Sequence, residues 1–215
     1  MKQYKNILII GPQGSGKDTQ SVMLSEKRKV PNIIMGDLFR QEIKKKSKIG
    51  QLAGELLSKG ILVSDKITFV LLKKRLNKKD AKKGFILNGY PRNIKQVKMF
   101  EKIAPIGLVL ELWISDRESL RRLAGRRFCP RCKMTYHTIY KKPKKPGFCD
   151  KCRSQLIIRE DDKGPVIKKR LNIYHQQTEP ILDYYKKKKI YLRINGEQPI
   201  PRVSAEILQK IKALK

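Results

Sequence analysis

The 215-residue sequence predicts an α/β fold with a parallel five-stranded sheet flanked by helices. Three observations support this prediction. Short, almost wholly apolar segments recur along the chain, as expected for strands buried on both faces. Segments with helical periodicity separate them, which favours parallel strands joined by crossovers. A glycine-rich turn joins the first apolar segment to the first helix, as in a phosphate-binding loop.

The first half of the chain alternates regularly. Asn6–Ile10 is an apolar strand, and the glycines that follow end it before a helix over 17–29. A second strand is expected over 32–35, followed by helices over 37–46 and 49–59. Asp65 is expected to begin another helix, because a carboxylate is favourable at a helix N-terminus.

The second half repeats the alternation around one irregular segment. Apolar strands are expected over 85–87 and 107–113, each followed by a helix, over 94–103 and 116–127. Between about 128 and 158, Cys, Pro, Gly and Lys interrupt the periodicity, which indicates an insert. The remaining predicted elements are a long helix over 166–188, a strand over 190–194 and a final helix beginning at Arg202.

The composition is strongly basic, with 51 Lys and Arg residues against 19 Asp and Glu residues and a net charge of +32. Such a charge is typical of proteins that bind polyanions. The lysines, however, are spread over every segment, so a lysine-rich source proteome and a selected role in attracting anions both stay open. No apolar run approaches the ~20 residues of a membrane span. The N-terminus also lacks the pattern of a signal peptide, so a cytoplasmic protein without membrane contact is expected.

The glycine-rich turn has the sequence Gly11-Pro12-Gln13-Gly14-Ser15-Gly16-Lys17, which satisfies the pattern G-x-x-x-x-G-K between a strand and a helix. Backbone N–H groups of such a loop converge on phosphate oxygens, and Lys17 adds a positive charge. Asp18 departs from the general pattern, because Ser or Thr usually follows the lysine and holds the metal ion. The hydroxyl comes one position later, at Thr19.

Four cysteines lie in the irregular insert as two C-x-x-C pairs, Cys129/Cys132 and Cys149/Cys152. This spacing predicts a structural zinc ribbon with four thiolate ligands. Unligated thiols, disulfides, an iron–sulfur centre or another metal are the alternatives. Zinc would order an insert that is too small to form much core of its own.

Several motifs, in order, resemble those of the adenylate kinases of the long bacterial type, which carry a zinc-binding lid. The matching segments are GPQGSGKDTQ (11–20), GDLFR (36–40), GILVSD (60–65), GFILNGYPRNIKQ (84–96), GRR (125–127), REDD (159–162), KRL (169–171) and YHQ (174–176). The resemblance implies a P-loop nucleoside-monophosphate kinase with an NMP-binding insert over 34–63 and a zinc-ribbon lid over 125–162. The core would comprise 1–33, 64–124 and 163–215.

The resemblance also implies the reaction, which is reversible phosphoryl transfer from Mg-ATP to AMP, giving two ADP. The implied catalytic residues are Lys17, Arg92, Arg126, Arg159 and Arg170. The implied ATP-binding residues are Gly14, Ser15, Gly16, Lys17, Asp18, Thr19, Arg122, Arg126, Thr135, Tyr136 and Gln198. The implied AMP-binding residues are Met35, Arg40, Ile61, Leu62, Val63, Gly89, Tyr90, Pro91, Arg92, Gln96, Arg159 and Arg170. Asp37 and Asn88 would lie around Mg²⁺, and a monomer is the family's usual state.

Some of these implied roles have competitors. Arg121 lies next to Arg122 and could take its role, and Tyr136 could pack inside the lid instead of against adenine. His137 follows Tyr136, but four cysteines would leave it no place on the zinc. His175 is expected to be a packing or hydrogen-bonding residue of its helix.

Three residues depart from the family's pattern. Asn88 replaces a usual Asp, Met35 a usual Thr and Asp18 a usual Gly. Weaker magnesium affinity and a relaxed choice of acceptor are therefore expected, and Asp18 would repel phosphate unless it points away. Two alternatives to the adenylate kinase reaction remain at this point, a UMP or CMP kinase and an RNA-binding protein on a retired kinase fold. Contact with nucleic acid is otherwise expected to be non-specific at most.

Overall fold

The computed structural model describes residues 4–214 and contains one five-stranded parallel sheet, which confirms the predicted fold class. Its strands are β1 (Asn6–Ile10), β2 (Asn32–Ile34), β3 (Phe85–Asn88), β4 (Leu108–Trp113) and β7 (Tyr191–Asn195). Their spatial order is β2-β3-β1-β4-β7, and every neighbouring pair is parallel. Because all five strands are parallel, their carboxyl ends lie along the same edge of the sheet. Ligands of open α/β folds bind at that edge.

Nine α-helices accompany the sheet in the described residues. They are α1 (Lys17–Arg28), α2 (Met35–Lys44), α3 (Lys48–Ser58), α4 (Asp65–Leu76), α5 (Ile94–Glu101), α6 (Asp116–Gly125), α7 (Gly164–Ile173), α8 (Pro180–Lys187) and α9 (Ile200–Ala213). Short 3₁₀ turns occupy Lys79–Lys83 and Glu160–Asp162. Within residues 4–214, none of these helices has the length and apolar content that crossing a bilayer requires.

The central strand β1 contributes to two apolar cores because its side chains alternate between the faces of the sheet. Ile7 and Ile9 pack on the face that also buries Val203 and Ile207 of α9. Leu8 and Ile10 point to the opposite face, where α4, α5 and α8 supply the covering side chains. Helices thus cover both faces, which explains why the strand is apolar from Ile7 to Ile10.

The long helix predicted over 166–188 is interrupted, so that part of the prediction is wrong. A π-helical segment, Tyr174–Thr178, separates α7 from α8, and the N–H of Glu179 donates to the carbonyl of Tyr174 at 2.8 Å. Pro180 begins α8, where its missing N–H costs no intrahelical hydrogen bond. Met35 was expected to end a strand but begins α2 instead.

The insert between α6 and α7 contains an antiparallel hairpin of β5 (Arg126–Phe128) and β6 (Thr135–His137). Its main apolar cluster consists of the cysteines with Tyr136 and Leu156. Helices α2 and α3 lie between β2 and α4 along the chain, within residues 34–63 of the predicted NMP-binding insert.

Candidate active site

The phosphate-binding loop connects β1 to α1 at the edge of the sheet where β1 ends. Gly14 and Gly16 have φ angles of 82° and 86°, in the left-handed region that glycine adopts without strain. The carbonyl of Pro12 accepts a hydrogen bond from the N–H of Ser15 at 3.2 Å. The loop therefore curls in front of the N-terminus of α1, as the sequence pattern predicts, and forms an anion-binding site.

Lys17 lies at the start of α1 and points back across the loop. Its Nζ donates to the carbonyl of Pro12 at 2.9 Å. Burial in the cleft is the largest of the causes that lower the pKa of Lys17 to about 7; Asp18 opposes it, and Arg92, Arg170 and Arg126 act in the same direction as burial. A phosphate group entering the loop would reverse this effect by favouring the charged ammonium.

The predicted catalytic residues converge on one cleft, although they come from distant parts of the chain. All five line it, namely Lys17, Arg92, Arg126, Arg159 and Arg170, and Arg40, predicted to bind AMP, lines it as well. The loop residues Gly14 and Asp18, together with Asn88 and the segment Gly89–Arg92, also line this cleft. Such a concentration of cations in a concave site suits a ligand with several phosphate groups.

Two adjacent aspartates orient the arginines of the lid. Arg159 forms two hydrogen bonds with Asp161, at 2.9 and 2.7 Å. Arg126 makes a similar two-point contact with Asp162, whose side chain is fully buried. Arg170 of α7 reaches both carboxylates, at 3.1 and 3.3 Å. The two carboxylates therefore fix the orientation of the three guanidinium groups.

Burial and the ion pairs shift the pKa values of Asp161 and Arg170 in opposite directions. Burial by itself would raise the pKa of Asp161, but Arg170 and Arg159 outweigh it and lower that pKa below its usual value. Burial lowers the pKa of Arg170 to about 10, despite Asp161. Asp161 and Arg170 are therefore both charged at neutral pH.

Asp161 and Asp162 belong to the motif REDD (159–162), but the motif alone gives neither carboxylate a role. A signal was present, because acidic residues are scarce in this chain and three of them are consecutive at 160–162. Only the structure shows that both carboxylates turn towards arginines of the cleft.

Residues of the predicted NMP-binding insert and of the predicted lid meet across the cleft. Arg40 of α2 and Arg159 both lie over the ring of Phe128, at 5.9 and 5.7 Å from its centroid. Gly60 has a φ angle of 69°, and a Cβ there would approach Val166 to 2.9 Å and Arg170 to 3.0 Å. The structure therefore has a closed arrangement, in which the insert touches both the lid and α7.

The acceptor side is lined by residues that follow β2 and β3. Arg92 donates from Nε to the carbonyl of Gly89 at 3.0 Å, and Thr178 donates to the carbonyl of Arg92 at the same distance. Met35 is buried and lies beside Gly89. The other predicted contacts of this side are Ile61, Leu62, Val63, Tyr90 and Pro91, of which Val63, Tyr90 and Pro91 are buried and Ile61 and Leu62 half-buried.

Gln96, the predicted reader of the acceptor base, is held by the protein. Its Nε2 donates to Asp65 at 2.7 Å and its Oε1 accepts from the N–H of Arg92 at 2.7 Å. An amide nitrogen has two hydrogens and its oxygen two lone pairs, so one of each remains. Asp65 fixes the orientation of this amide, a role that sequence analysis did not assign.

Asp37 and Asn88, the two residues predicted around Mg²⁺, have different surroundings. Asp37 forms an ion pair with Arg40 at 2.7 Å. Asn88 ends β3, is buried, and donates from Nδ2 to Oδ1 of Asp18 at 2.7 Å. The Asp18 carboxylate is therefore turned towards Asn88, and both residues line the cleft.

The residues predicted to bind ATP differ in their burial and in their contacts. Arg122 donates to Glu118 at 2.6 Å and reaches the carbonyl of Gly14 at 3.5 Å, whereas the side chain of Arg121 is 59% exposed. This placement favours Arg122 over Arg121 at the loop. Gln198 is half-buried, and its side chain donates to Glu206 at 2.5 Å. Ser15 is buried within the loop, and Gly16 and Thr19 are half-buried.

Tyr136 lies inside the lid, where the structure places its hydroxyl 3.4 Å from Sγ of Cys149. The hydroxyl also accepts from the N–H of Asp150 at 2.9 Å, and the residue is 2% exposed. Lid packing, the alternative open from the sequence, is thus the role that these contacts describe. Its neighbour Thr135 is exposed, and contact of either residue with a donor adenine stays a prediction.

The four cysteines come together in the lid, with all four Sγ atoms within 4.8 Å of one another. Sγ of Cys129 lies 3.4 Å from that of Cys152, and Sγ of Cys132 lies 3.3 Å from that of Cys149. These separations exceed the ~2.05 Å of a disulfide bond. They are close to the ~3.8 Å that follows from tetrahedral Zn–S bonds.

The two C-x-x-C loops have the same backbone geometry. Lys133 and Arg153 each follow the second cysteine of a pair with a φ angle near 60° (63° and 60°). The N–H of each donates to the carbonyl of the first cysteine, at 2.9 and 2.8 Å. His137 is outside this cluster, since its Nδ1 accepts from the N–H of Ile139 at 2.9 Å. The donor set and its repeated geometry therefore fit one metal ion with four sulfur ligands.

The fold, the phosphate-binding loop and the cleft of arginines define a nucleoside-monophosphate kinase. A family model described as adenylate kinase matches residues 9–190. An adenylate kinase of Acetivibrio thermocellus is 39% identical over 214 residues, covering 97% of this chain and 99% of that protein. One of Treponema denticola is 43% identical over 205 residues, covering 95% and 98%. One of Methanothrix thermoacetophila is 42% identical over 207 residues, covering 94% and 96%. The chain belongs to the adenylate kinase family.

Proposed function

We propose that the protein catalyses reversible phosphoryl transfer from Mg-ATP to AMP, giving two ADP. The observation that carries this proposal is the cleft between the NMP-binding insert and the lid, where Lys17 and five arginines converge on the phosphate-binding loop. The relatives, all of them adenylate kinases, match along nearly the whole chain and support the same reaction. Neither a pyrimidine-nucleotide kinase nor an RNA-binding protein gains support from them.

Transfer of a phosphoryl group needs positioning and neutralisation of charge more than covalent help. The loop and Lys17 would hold the β- and γ-phosphates of ATP at the N-terminus of α1. Arg40 and Arg92 would hold the phosphate of AMP on the opposite side. The two phosphates then meet among Arg126, Arg159 and Arg170, whose planar guanidinium groups bind phosphoryl oxygens in pairs.

The closed arrangement supplies the exclusion of water that this chemistry requires. Arg159 belongs to the lid and is oriented by Asp161. Contact of Phe128 with both Arg40 and Arg159 joins the insert to the lid. We assign the insert to residues 34–63 and the lid to 125–162. A lid that closes only over bound nucleotide would protect ATP from hydrolysis.

The base of each nucleotide would contact a separate pocket. Gln96 presents the free hydrogen and lone pair of its fixed amide to the acceptor adenine. The buried walls of that pocket include Met35 and Val63. The donor adenine would lie near Thr135 and the backbone of Gln198. Mg²⁺ enters with ATP as part of the donor, on the side of the cleft where Asn88 ends β3.

The metal of the lid is proposed to be zinc, held by Cys129, Cys132, Cys149 and Cys152. Four thiolates leave no open position, so the ion would be structural and would order the lid. Reduced cysteines agree with a cytoplasmic location. We propose a monomer, the usual state of the family.

The decisive assay measures ADP formed from ATP and AMP, with and without Mg²⁺. We expect Mg²⁺-dependent formation of two ADP per AMP consumed and a clear preference for AMP over UMP and CMP. Absence of transfer by folded protein, or a preference for a pyrimidine monophosphate, would overturn the proposed reaction. The zinc content of the purified chain, expected to be one ion per chain, tests the lid separately.

A further inference from the structure

Asp18 and Asn88 form a pair that joins the phosphate-binding loop to the neighbouring strand. Asp18 is in the first turn of α1, and Asn88 is the last residue of β3. Nδ2 of Asn88 donates to Oδ1 of Asp18 at 2.7 Å, and both residues line the cleft. The two positions are 70 residues apart in sequence, so only the parallel sheet brings them together.

The positions of this pair are those that usually hold Mg²⁺ in P-loop enzymes. A hydroxyl residue directly after the loop lysine binds the ion, and an aspartate at the end of a nearby strand supplies negative charge. In this chain the residue after Lys17 is the carboxylate, and the residue that ends β3 is neutral. The pair therefore still contains one carboxylate, but this carboxylate belongs to Asp18 of α1 and not to the residue that ends β3.

The orientation of Asn88 follows from its partner. An ionised carboxylate only accepts hydrogen bonds, so the amide nitrogen must face Asp18 and the amide oxygen must face away from it. Within residues 4–214, Oδ1 of Asn88 is buried and has no hydrogen-bond partner, while the residue is only 1% exposed. A buried acceptor without a partner is unfavourable. A hydrated cation in the cleft would supply the missing donor.

Asp37, the other predicted carboxylate near Mg²⁺, is less suitable. Its Oδ1 accepts from Arg40 at 2.7 and 3.1 Å, which neutralises its charge. Asp18 uses Oδ1 for Asn88, and its Oδ2 makes no hydrogen bond or ion pair with another described residue.

We propose that Asp18 supplies the carboxylate that binds the hydrated Mg²⁺ of Mg-ATP, and that Asn88 positions this carboxylate and accepts a hydrogen bond from the ion's water. The carboxylate and the neutral partner have exchanged places between α1 and β3. This inference rests on the proposed function, because it concerns the donor nucleotide of that reaction. It also explains how a negative charge can follow Lys17 without repelling phosphate.

The test measures the affinity of Mg²⁺ for the enzyme–ATP complex in the absence of AMP, so no turnover is involved. Manganese bound to the same complex is displaced by Mg²⁺, and free Mn²⁺ is followed by electron paramagnetic resonance. Asp18→Asn, which removes the charge but keeps the shape, should weaken Mg²⁺ binding at least tenfold. Binding of metal-free ATP, measured by calorimetry, should be unchanged or tighter.

Exchanging the two residues tests whether Asp18 and Asn88 act as a pair. Asn88→Asp alone places two carboxylates in contact and should lower the melting temperature at neutral pH. The double variant Asp18→Asn/Asn88→Asp should recover Mg²⁺ affinity to within about threefold of the parent chain, as a strongly coupled pair requires. Asp37→Asn is the matched control and should change that affinity less than twofold.

Two results would overturn the inference, namely unchanged Mg²⁺ affinity in Asp18→Asn or no recovery in the folded double variant. If Asp18→Asn failed to fold, Asp18→Gly, which leaves the loop free of any side chain at this position, would be measured in the same way. If the proposed function itself were wrong, the parent chain would neither bind Mg-ATP nor form ADP. This result distinguishes the two failures.

Discussion

Binding of ATP should take up a proton at Lys17 when the pH is above 7. In the free protein, burial in the cleft and the surrounding arginines lower the pKa of Lys17 to about 7. Bound phosphates would stabilise the ammonium and raise that pKa back towards the ordinary value of a lysine. A lysine that is partly neutral in the free protein must therefore gain a proton when ATP binds.

The size of this uptake follows from the free protein's pKa. At pH 8 only about a tenth of free Lys17 carries a proton, so binding should take up about 0.9 proton per chain. At pH 6 about nine tenths is already protonated, and uptake should fall to about 0.1. By the same linkage, ATP affinity should fall about tenfold for each pH unit above 7.

Isothermal titration of Mg-ATP in two buffers with different ionisation enthalpies measures this proton count directly. The phosphates of ATP do not interfere at pH 8, which is well above their pKa of about 6. Lys17→Arg is the matched control, since an arginine stays charged throughout this range and should remove the pH-dependent uptake. An uptake below about 0.2 proton at pH 8 in the parent chain, or an equal uptake in the control, would refute the reasoning.

Three further predictions concern other parts of the molecule. Replacing Cys129 and Cys132 with Ser should lower the bound zinc from one ion per chain to almost none and should make the lid sensitive to protease; unchanged zinc content would exclude this metal site. Arg122→Ala should weaken ATP binding at least tenfold, whereas Arg121→Ala should change it less than twofold, because only Arg122 reaches the loop; equal effects in a calorimetric titration would contradict this. Hydrogen bonds to Glu179 and Asp116 raise the pKa of His175. Its contribution to stability is therefore complete below its unfolded value of about 6.5 and is lost as the pH rises through its raised folded value. Thermal melts from pH 6 to 8 should fall less steeply in His175→Gln, and identical slopes would argue against this role.

Local sequence predicted the phosphate-binding loop and most of the elements around it. The loop combines glycines at 14 and 16, which have positive φ angles, with a strand before it and a helix after it. The carboxylate expected to begin a helix at Asp65 does begin α4, with Ser64 as its cap. These features depend on neighbouring residues, so a short stretch of sequence is sufficient to predict them.

Two predictions made from local sequence failed, because contacts between distant parts of the chain determine the structure at these positions. Met35 continues an apolar run but begins α2, because β2 pairs with β3 over only three residues. The helix expected from 166 to 188 contains a π-helical segment before Pro180. His175 lies in this segment and contacts Asp116 of α6 at 2.9 Å. Periodicity does not detect such an interruption, because the apolar face continues on both sides of it.

The sequence by itself determined the class of chemistry, since loop glycines, a following lysine and paired cysteines each need only short spacings to specify a phosphate or metal site. Only the tertiary structure decided which charges meet. Asp161 and Asp162 orient three arginines, and Asn88 contacts Asp18 across 70 residues. Electrostatic interactions depend on distance in space, and the order of the parallel strands sets those distances. The role of a charged residue in this cleft is therefore fixed by the fold, even where a motif had suggested its position.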